Sequence, residues 1–337
     1  MKQVVLQEPG RLVALDGPPP EPPGPDEALV RVRRVGVCGT DFHAFKGDQP
    51  FFSYPRILGH ELGVEVLEAP SASGVKRGDR CAVEPYLDCG RCVACRRGRT
   101  NCCAHLSVLG VHEDGGMREM ITVPSRKLHR SDALSFEQLA LVETLSIGAH
   151  AVGRAGLEAG ETVLVVGTGP IGLAVIQSAL PMGVRLLATD VNESRLESCR
   201  RLLGVEHTFP SDGAVEHALR DLTGGDMPTV VFEATGSAAS MERSFGFVAS
   251  GGTLVFVGLC QASIAFFDPE LHRREMTVLS SRNAVAADFA RILSAVEGGT
   301  IDTRPWVTHR APLADLGEAL PSWSQPASGV LKAMVEV

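Results

Sequence analysis

The chain has 337 residues, 44% hydrophobic and 21% charged, an ordinary composition for a globular enzyme and a length that accommodates two domains with separate cores. Its formal net charge of −8 makes a field that repels nucleic acid and anionic membrane surfaces, so neither is an expected partner. Nine cysteines, an odd count in so long a chain, do not suit a secreted disulfide framework; no apolar h-region follows Met1-Lys2, and no apolar run approaches the roughly 18 residues that span a bilayer, so a soluble protein of the reducing cytoplasm is expected.

Up to about residue 130, short β-type runs are separated by turn residues. Ala28 to Val37, Val64 to Leu67, Arg80 to Val83 and Met117 to Val123 are predicted strands. Pro18 to Pro25 reads as an extended surface loop, and Asp114-Gly115-Gly116 as a hairpin-type turn. An irregular β-barrel-like domain is predicted. From about Ser146 strands alternate with helical periods, the pattern of βαβ units and a parallel sheet. Thr162 to Val166, Arg185 to Thr189, Thr229 to Glu233, Thr253 to Val257 and Thr277 to Ser280 are the predicted strands; Ile171 to Leu180, Glu193 to Leu203, Val215 to Leu222 and Ser240 to Val248 carry helical spacing. The tail from Phe289 returns to a helix and short strands such as Val330 to Val335. The fold class is α/β, with expected domains 1–147, 148–287 and a segment 288–337 that rejoins the first.

The apolar run ending at Val166 opens into Gly167-Thr168-Gly169-Pro170-Ile171-Gly172, and the next predicted strand leads to Asp190, 18 residues after Gly172. A strand, a glycine turn, a helix and an acidic residue at the end of the second strand make a dinucleotide site. Gly167 permits the turn, Gly169 lets a pyrophosphate approach the backbone, and Gly172 allows helix and strand to pack closely. The helix N-terminus offers free N–H groups to phosphate. Asp190 suits the adenosine ribose hydroxyls and repels a 2′-phosphate, which favours NAD over NADP. Arg195 argues the other way, since an arginine there can pair with that phosphate.

Cys89, Cys92, Cys95 and Cys103 are spaced by three, three and eight residues within a loop-like segment at about 86–106. Four thiolates suit tetrahedral zinc and leave no open position, so this site is expected to be structural. An iron–sulfur ligand run is the rival, but its usual fourth cysteine and following proline are missing. Arg96-Arg97-Gly98-Arg99 hints at a nucleic-acid zinc module, against the acidic net charge. Cys102, next to Cys103, competes as fourth ligand.

Cys38 and His60 are suitable ligands for a second zinc but prove nothing alone. With their neighbours they make Cys38-Gly39-Thr40-Asp41-x-His43 and Gly59-His60-Glu61, which precede the cysteine lobe, Val142-Glu143-x-Leu145-Ser146 and the glycine fingerprint. In this order and spacing, over nearly the whole length, the chain resembles the zinc-dependent medium-chain dehydrogenase/reductase family. The resemblance implies a GroES-like catalytic domain, a Rossmann domain, an active-site cleft between them and a homodimer or homotetramer formed through the Rossmann sheets. It implies two zinc ions per chain: a catalytic one with Cys38, His60, and Glu61 or Glu143 as ligand or through a zinc-bound water, and a structural one in the lobe. Asp41 would orient His60. Thr40 and His43 match the relay that carries the released proton to solvent. Val257, Gly258, Leu259 and Ser281 join the expected cofactor contacts.

Leu109-Gly110-Val111-His112-x-Asp114-Gly115-Gly116 and Ser281-Arg282-Asn283-Ala284 resemble most the polyol and sugar-acid branch, of the sorbitol dehydrogenase and L-gulonate or galactonate 5-dehydrogenase type. NAD-linked oxidation of a secondary hydroxyl on a small sugar acid or polyol is therefore the expected activity. The branch usually has proline where Thr144 stands, so a looser turn is expected beside Glu143. The resemblance puts Arg282 and Asn283 towards the nicotinamide and the far end of the substrate, where Arg282 could meet a carboxylate or serve the cofactor. Oxidation of threonine or of a simple secondary alcohol is the enzymatic alternative, and a non-catalytic NAD-binding regulator the alternative of another class.

Overall fold

Along Glu27–Val37 the buried Ala28, Val30 and Val32 alternate with Leu29, Arg31 and Arg33, the period-two pattern of a strand with one face in a core. The computed structural model, which describes residues 1–50 and 52–337, makes this strand the hub of a seven-stranded sheet. It pairs antiparallel with Glu61–Glu68, Met120–Pro124 and Lys332–Glu336. The sheet continues through Arg80–Val83 to Leu128–Arg130 on one side and ends at Val307–Pro312 on the other. Leu62, Val64, Ile121, Leu316 and Val335 lie in the core beneath it. Residues 1–143 and 285–337 form this first compact unit, and residues 144–284 form a second.

Two parts of the first unit differ from the sequence expectations. Lys2–Glu8 and Arg11–Asp16, which have no counterpart among the predicted elements, form an antiparallel pair. Asp114-Gly115-Gly116 does not close a hairpin. Gly115 N–H donates to Ile57 O at 2.7 Å, Gly116 N–H to Gly59 O at 2.8 Å, and Asp114 Oδ1 accepts from Ile57 N–H at 3.0 Å. The absence of side chains lets this segment lie along the backbone that leads into His60, and the strand proper starts only at Met120.

The second unit is an open parallel sheet in the order His207–Pro210, Arg185–Asp190, Thr162–Val166, Val230–Glu233, Thr253–Phe256, Thr277–Ser280. The chain reverses direction of progress across the sheet between Thr162–Val166 and Val230–Glu233, the place where such sheets bind ligands at their C-terminal ends. The helices Pro170–Ala179, Glu193–Leu203 and Val215–Leu222 link the strands. A 20-residue helix, Phe136–Ala155, begins in the first unit and ends in the second. Thr144 lies inside this helix, so the expected loosened turn beside Glu143 is replaced by continuous helical backbone. Among the described residues, no helix is long and apolar enough to cross a membrane.

Candidate metal centres and dinucleotide site

Cys38 follows the central strand and caps the helix Gly39–Lys46, where Asp41 Oδ2 accepts its backbone N–H at 2.8 Å. His60 immediately precedes the strand Glu61–Glu68, whose pairing sets Gly36 opposite Glu61. Neighbouring strand ends thus bring together residues 22 apart in sequence. One donor atom each from Cys38, His60 and Glu61 lies within 4.8 Å of the others. Gly36 leaves the room: a Cβ there would stand 2.0 Å from Glu61 Oε2.

The surroundings are rich in buried polar atoms without a protein partner, namely Asp41 Oδ1, His60 Nδ1, Glu61 Oε2 and Glu143 Oε2. Asp41 Oδ1 stands 3.9 Å from His60 Nδ1, an ion-pair distance too long for a hydrogen bond. Burial opposes a charge on His60, yet Asp41, the Cys38 thiol and Glu143 raise its pKa well above the ordinary value. Burial pushes Glu143 up to about 7, with His60 pulling the other way. A half-buried soft thiol, a buried imidazole and a buried carboxylate favour positive charge and fit a divalent cation such as zinc, and Glu143, the other expected ligand, is buried but lies outside that 4.8 Å group.

Two residues outside the predicted site hold its carboxylates. Lys332, on the strand Lys332–Glu336, places Nζ 2.5 Å from Glu61 Oε1 and 3.3 Å from Val37 O. The Tyr86 hydroxyl donates to Glu143 Oε1, and both side chains are buried. Thr40 and His43 share the helix that Cys38 caps; Thr40 is half-buried, whereas His43 is exposed and has Nδ1 2.9 Å from Asp48 Oδ1.

The cysteine lobe is closed at its base by Tyr86–Leu87 pairing with Ser107–Val108. Within it the sulfurs of Cys89, Cys92, Cys95 and Cys103 lie within 4.8 Å of one another. The N–H groups of Cys89 and His105 both point at Cys103 Sγ, at 3.3 Å. The N–H groups of Cys95 and Ala104 help to hold the Cys92 thiol down at about 6. Converging N–H donors favour thiolates, the form a metal takes. Cys102 is exposed and outside the cluster.

In the second unit, Thr162–Val166 opens at Gly167, with φ of 91°, into the helix Pro170–Ala179 capped by Gly169. A Cβ at Gly172 would fall 1.8 Å from Gly167 O, so this packing admits only glycine. Pro170 and Ile171 form the first turn, at the helix end that favours anions. Asp190 Oδ2 accepts the Thr168 N–H at 2.7 Å and its hydroxyl at 3.1 Å, while Oδ1 accepts the Asn192 N–H at 2.8 Å. The carboxylate therefore braces the glycine turn as well as ending its strand. Arg195 reaches the same turn, its Nη1 3.6 Å from where a Cβ on Gly169 would be. Val257 and Gly258 donate N–H to Glu233 O at 2.8 and 2.9 Å, and Leu259 is exposed. Ser281, Arg282 and Asn283 follow the strand Thr277–Ser280; Asn283 has φ of 52° and Arg282 is exposed. These residues lie at the C-terminal ends of the parallel strands or at the start of the helices that follow them.

A β unit with two metal-type donor clusters and an open parallel sheet with a glycine turn describe a zinc-type alcohol dehydrogenase. Residues 24–133 match the alcohol dehydrogenase GroES-like domain and residues 170–298 the zinc-binding dehydrogenase model; the chain belongs to this family and is an oxidoreductase of the alcohol and polyol dehydrogenase kind. It is 41% identical to L-galactonate-5-dehydrogenase of Escherichia coli K12, over 94% of each chain. It is 34% identical to D-altritol 5-dehydrogenase of Agrobacterium fabrum, again over 94% of each. A zinc-binding dehydrogenase of Sinorhizobium meliloti 1021, solved bound to NADP, superposes with a TM-score of 0.90 at 31% identity, covering 100% of this chain and 99% of the other.

Proposed function

We propose that the protein oxidises a secondary hydroxyl of a sugar acid to a ketone, with NAD as acceptor and zinc at the Cys38 centre. The observation that carries this reading is the cluster of Cys38, His60 and Glu61 donors, the last two buried and the first half-buried, with Glu143 near enough to raise the His60 pKa. Zinc there supplies Lewis acidity towards a hydroxyl, and nicotinamide supplies the hydride acceptor. Thr40 would accept the hydroxyl proton while giving up its own, and His43, held at Nδ1 by Asp48, would pass a proton from its other ring nitrogen to water. Glu61, neutralised on one oxygen by Lys332, and Glu143, held on one oxygen by Tyr86, each keep a second oxygen without a protein partner, with which they would help to hold the metal. The lobe cysteines hold the structural zinc.

Asp190 supports NAD, because a carboxylate at the ribose end of the site repels a 2′-phosphate; the NADP-bound relative and the position of Arg195 argue for the opposite preference. All nine cysteines are unpaired, in keeping with a reducing cytoplasm. A homodimer through the sheet edge is supported by Thr277–Ser280, an edge strand with Val278 exposed, and by exposed Phe266 and Phe267 nearby in sequence.

Likeness to an L-galactonate dehydrogenase favours an acid substrate, and likeness to an altritol dehydrogenase favours a neutral polyol. Arg282 decides between them in this reading by pairing with the substrate carboxylate. An aldonate should then show higher kcat/KM than the matching neutral polyol, and Arg282→Met should remove most of the difference. Equal efficiency on both in the wild type, or a loss confined to NAD binding, would leave a neutral polyol as substrate.

A further inference from the structure

Tyr86 sits in the middle of a braced stretch. On one side of it Glu84 and on the other Asp88 turn buried carboxylates to the same ammonium, that of Lys127, which is 3% exposed. Lys127 Nζ lies 2.8 Å from Asp88 Oδ1, and Arg126 Nη1 reaches that oxygen at 2.7 Å. Arg126 Nη2 also donates to Asp88 O at 3.0 Å, and Glu84 N–H donates to Lys127 O at 2.9 Å. His129 Nε2 stands 3.1 Å from Glu84 Oε2 and stacks on Phe289 at 4.8 Å. Phe289 in turn meets the Tyr86 ring edge-on at 6.3 Å. Tyr86 is thus pinned through the residues two positions before and after it and through its own ring, and its hydroxyl ends on Glu143 Oε1.

A glutamate near a thiol, an imidazole and a second carboxylate has several ways to sit: both oxygens on a metal, one oxygen, or turned away. The braced hydroxyl works against the first and the last, since it occupies one lone pair of Oε1 and holds that oxygen in place. With Oε1 engaged, Oε2 is the oxygen of this carboxylate that stays buried without a protein partner. We propose that Tyr86 is the positioning residue of the Cys38 centre: it fixes Glu143 so that a single oxygen is presented, and the Lys127 clamp keeps it there. Because Tyr86 also begins the ribbon at the base of the cysteine lobe, with Cys89 three residues on, the same clamp ties the lobe to the placement of Glu143.

The proposal rests on the zinc reading of the Cys38 centre, and its test separates the two. Tyr86→Phe keeps the ring against Phe289 and removes only the hydroxyl. The full-length protein is prepared with zinc in the lobe and cobalt(II) at the Cys38 centre; its visible spectrum is recorded, zinc affinity is measured by chelator competition, and kcat and KM are determined separately. Loss of a partner that orients a group at a metal typically changes metal affinity or activity by about 10–100-fold. Tyr86→Phe should shift the cobalt bands and lower kcat by that order, with KM for NAD unchanged. In a Glu143→Ala background, which leaves the hydroxyl nothing to hold, removing it should have no further effect on the spectrum. A Tyr86→Phe spectrum superimposable on the wild type with kcat lowered by far less than about 10-fold, or a full additional shift in the Glu143→Ala background, would overturn the positioning role alone. Failure of the wild type to bind cobalt through Cys38 would overturn the zinc reading and this proposal with it.

Discussion

Lys332→Met keeps the length and apolar stem of the side chain but strips the ammonium from Glu61. The two side chains are 2% and 1% exposed. Removing one member of so buried a pair leaves a carboxylate with neither water nor counter-charge, which typically destabilises by about 3–5 kcal/mol, whereas an exposed pair contributes at most about 1 kcal/mol. The lost donation to Val37 O, long at 3.3 Å, adds little to that. The metal-free protein should therefore lose about 3–5 kcal/mol in its first unit. Zinc beside Glu61 takes over the role of the counter-charge, so the loss should be smaller in the loaded protein. Lys332→Met combined with Glu61→Gln should also lose less than Lys332→Met alone. Urea unfolding followed by tryptophan fluorescence isolates the effect, since both tryptophans, Trp306 and Trp323, are buried in the first unit. A loss below about 1 kcal/mol, or an equal loss with and without zinc, would refute the assignment of Lys332 as counter-ion of the metal centre.

Asp190→Ala should weaken NAD binding and relax discrimination against NADP. It should also destabilise the second unit by about 1–3 kcal/mol, because the Thr168 N–H loses its acceptor. Dinucleotide titration with a thermal melt reads both effects; a wild type that already prefers NADP would show that Arg195 governs the site. Cys95→Ser should impair folding and lower zinc content, whereas Cys38→Ser should abolish turnover and leave the circular dichroism spectrum and melting temperature near wild type; the reverse pattern would exchange the roles of the two centres. Burial alone would raise the Asp88 carboxyl, but Lys127 and Arg126 hold it at about 2, below its ordinary 3.8. The stability this contributes is present above the ordinary value and lost as pH falls through about 2. Acid titration of the metal-free protein should show that loss, and Asp88→Asn should flatten it; an unchanged slope would contradict the clamp.

What could be read from the amino acids alone was the chemistry that is local in sequence. Four cysteines, a glycine turn and His60-Glu61 declare themselves because a metal or a phosphate demands particular atoms at short spacing. Buried strands such as Thr162–Val166 and helices such as Glu193–Leu203 start and stop where their composition changes. Tyr86 and Lys332 were not legible, because each meets its carboxylate across a sequence separation of 57 and 271 residues, and only strand and helix packing closes that distance. Gly36 was the available hint for Glu61, since a glycine in a strand often marks a close approach. Asp114-Gly115-Gly116 misled for a related reason: a glycine pair that suits a tight turn also suits backbone laid against backbone. The helix Phe136–Ala155 has no clear polar face to announce it, with Leu139, Ala140, Leu141, Val142, Glu143 and Thr144 buried in succession.

The most direct test is NADH formation by the metal-stripped and zinc-restored protein, on a matched set of aldonates and neutral polyols. Expected are no turnover without metal, recovery on adding zinc in the wild type but not in Cys38→Ser, and the highest kcat/KM on an aldonate. Turnover that survives complete zinc removal, or zinc-restored protein that reduces NAD with none of these secondary alcohols, would contradict it.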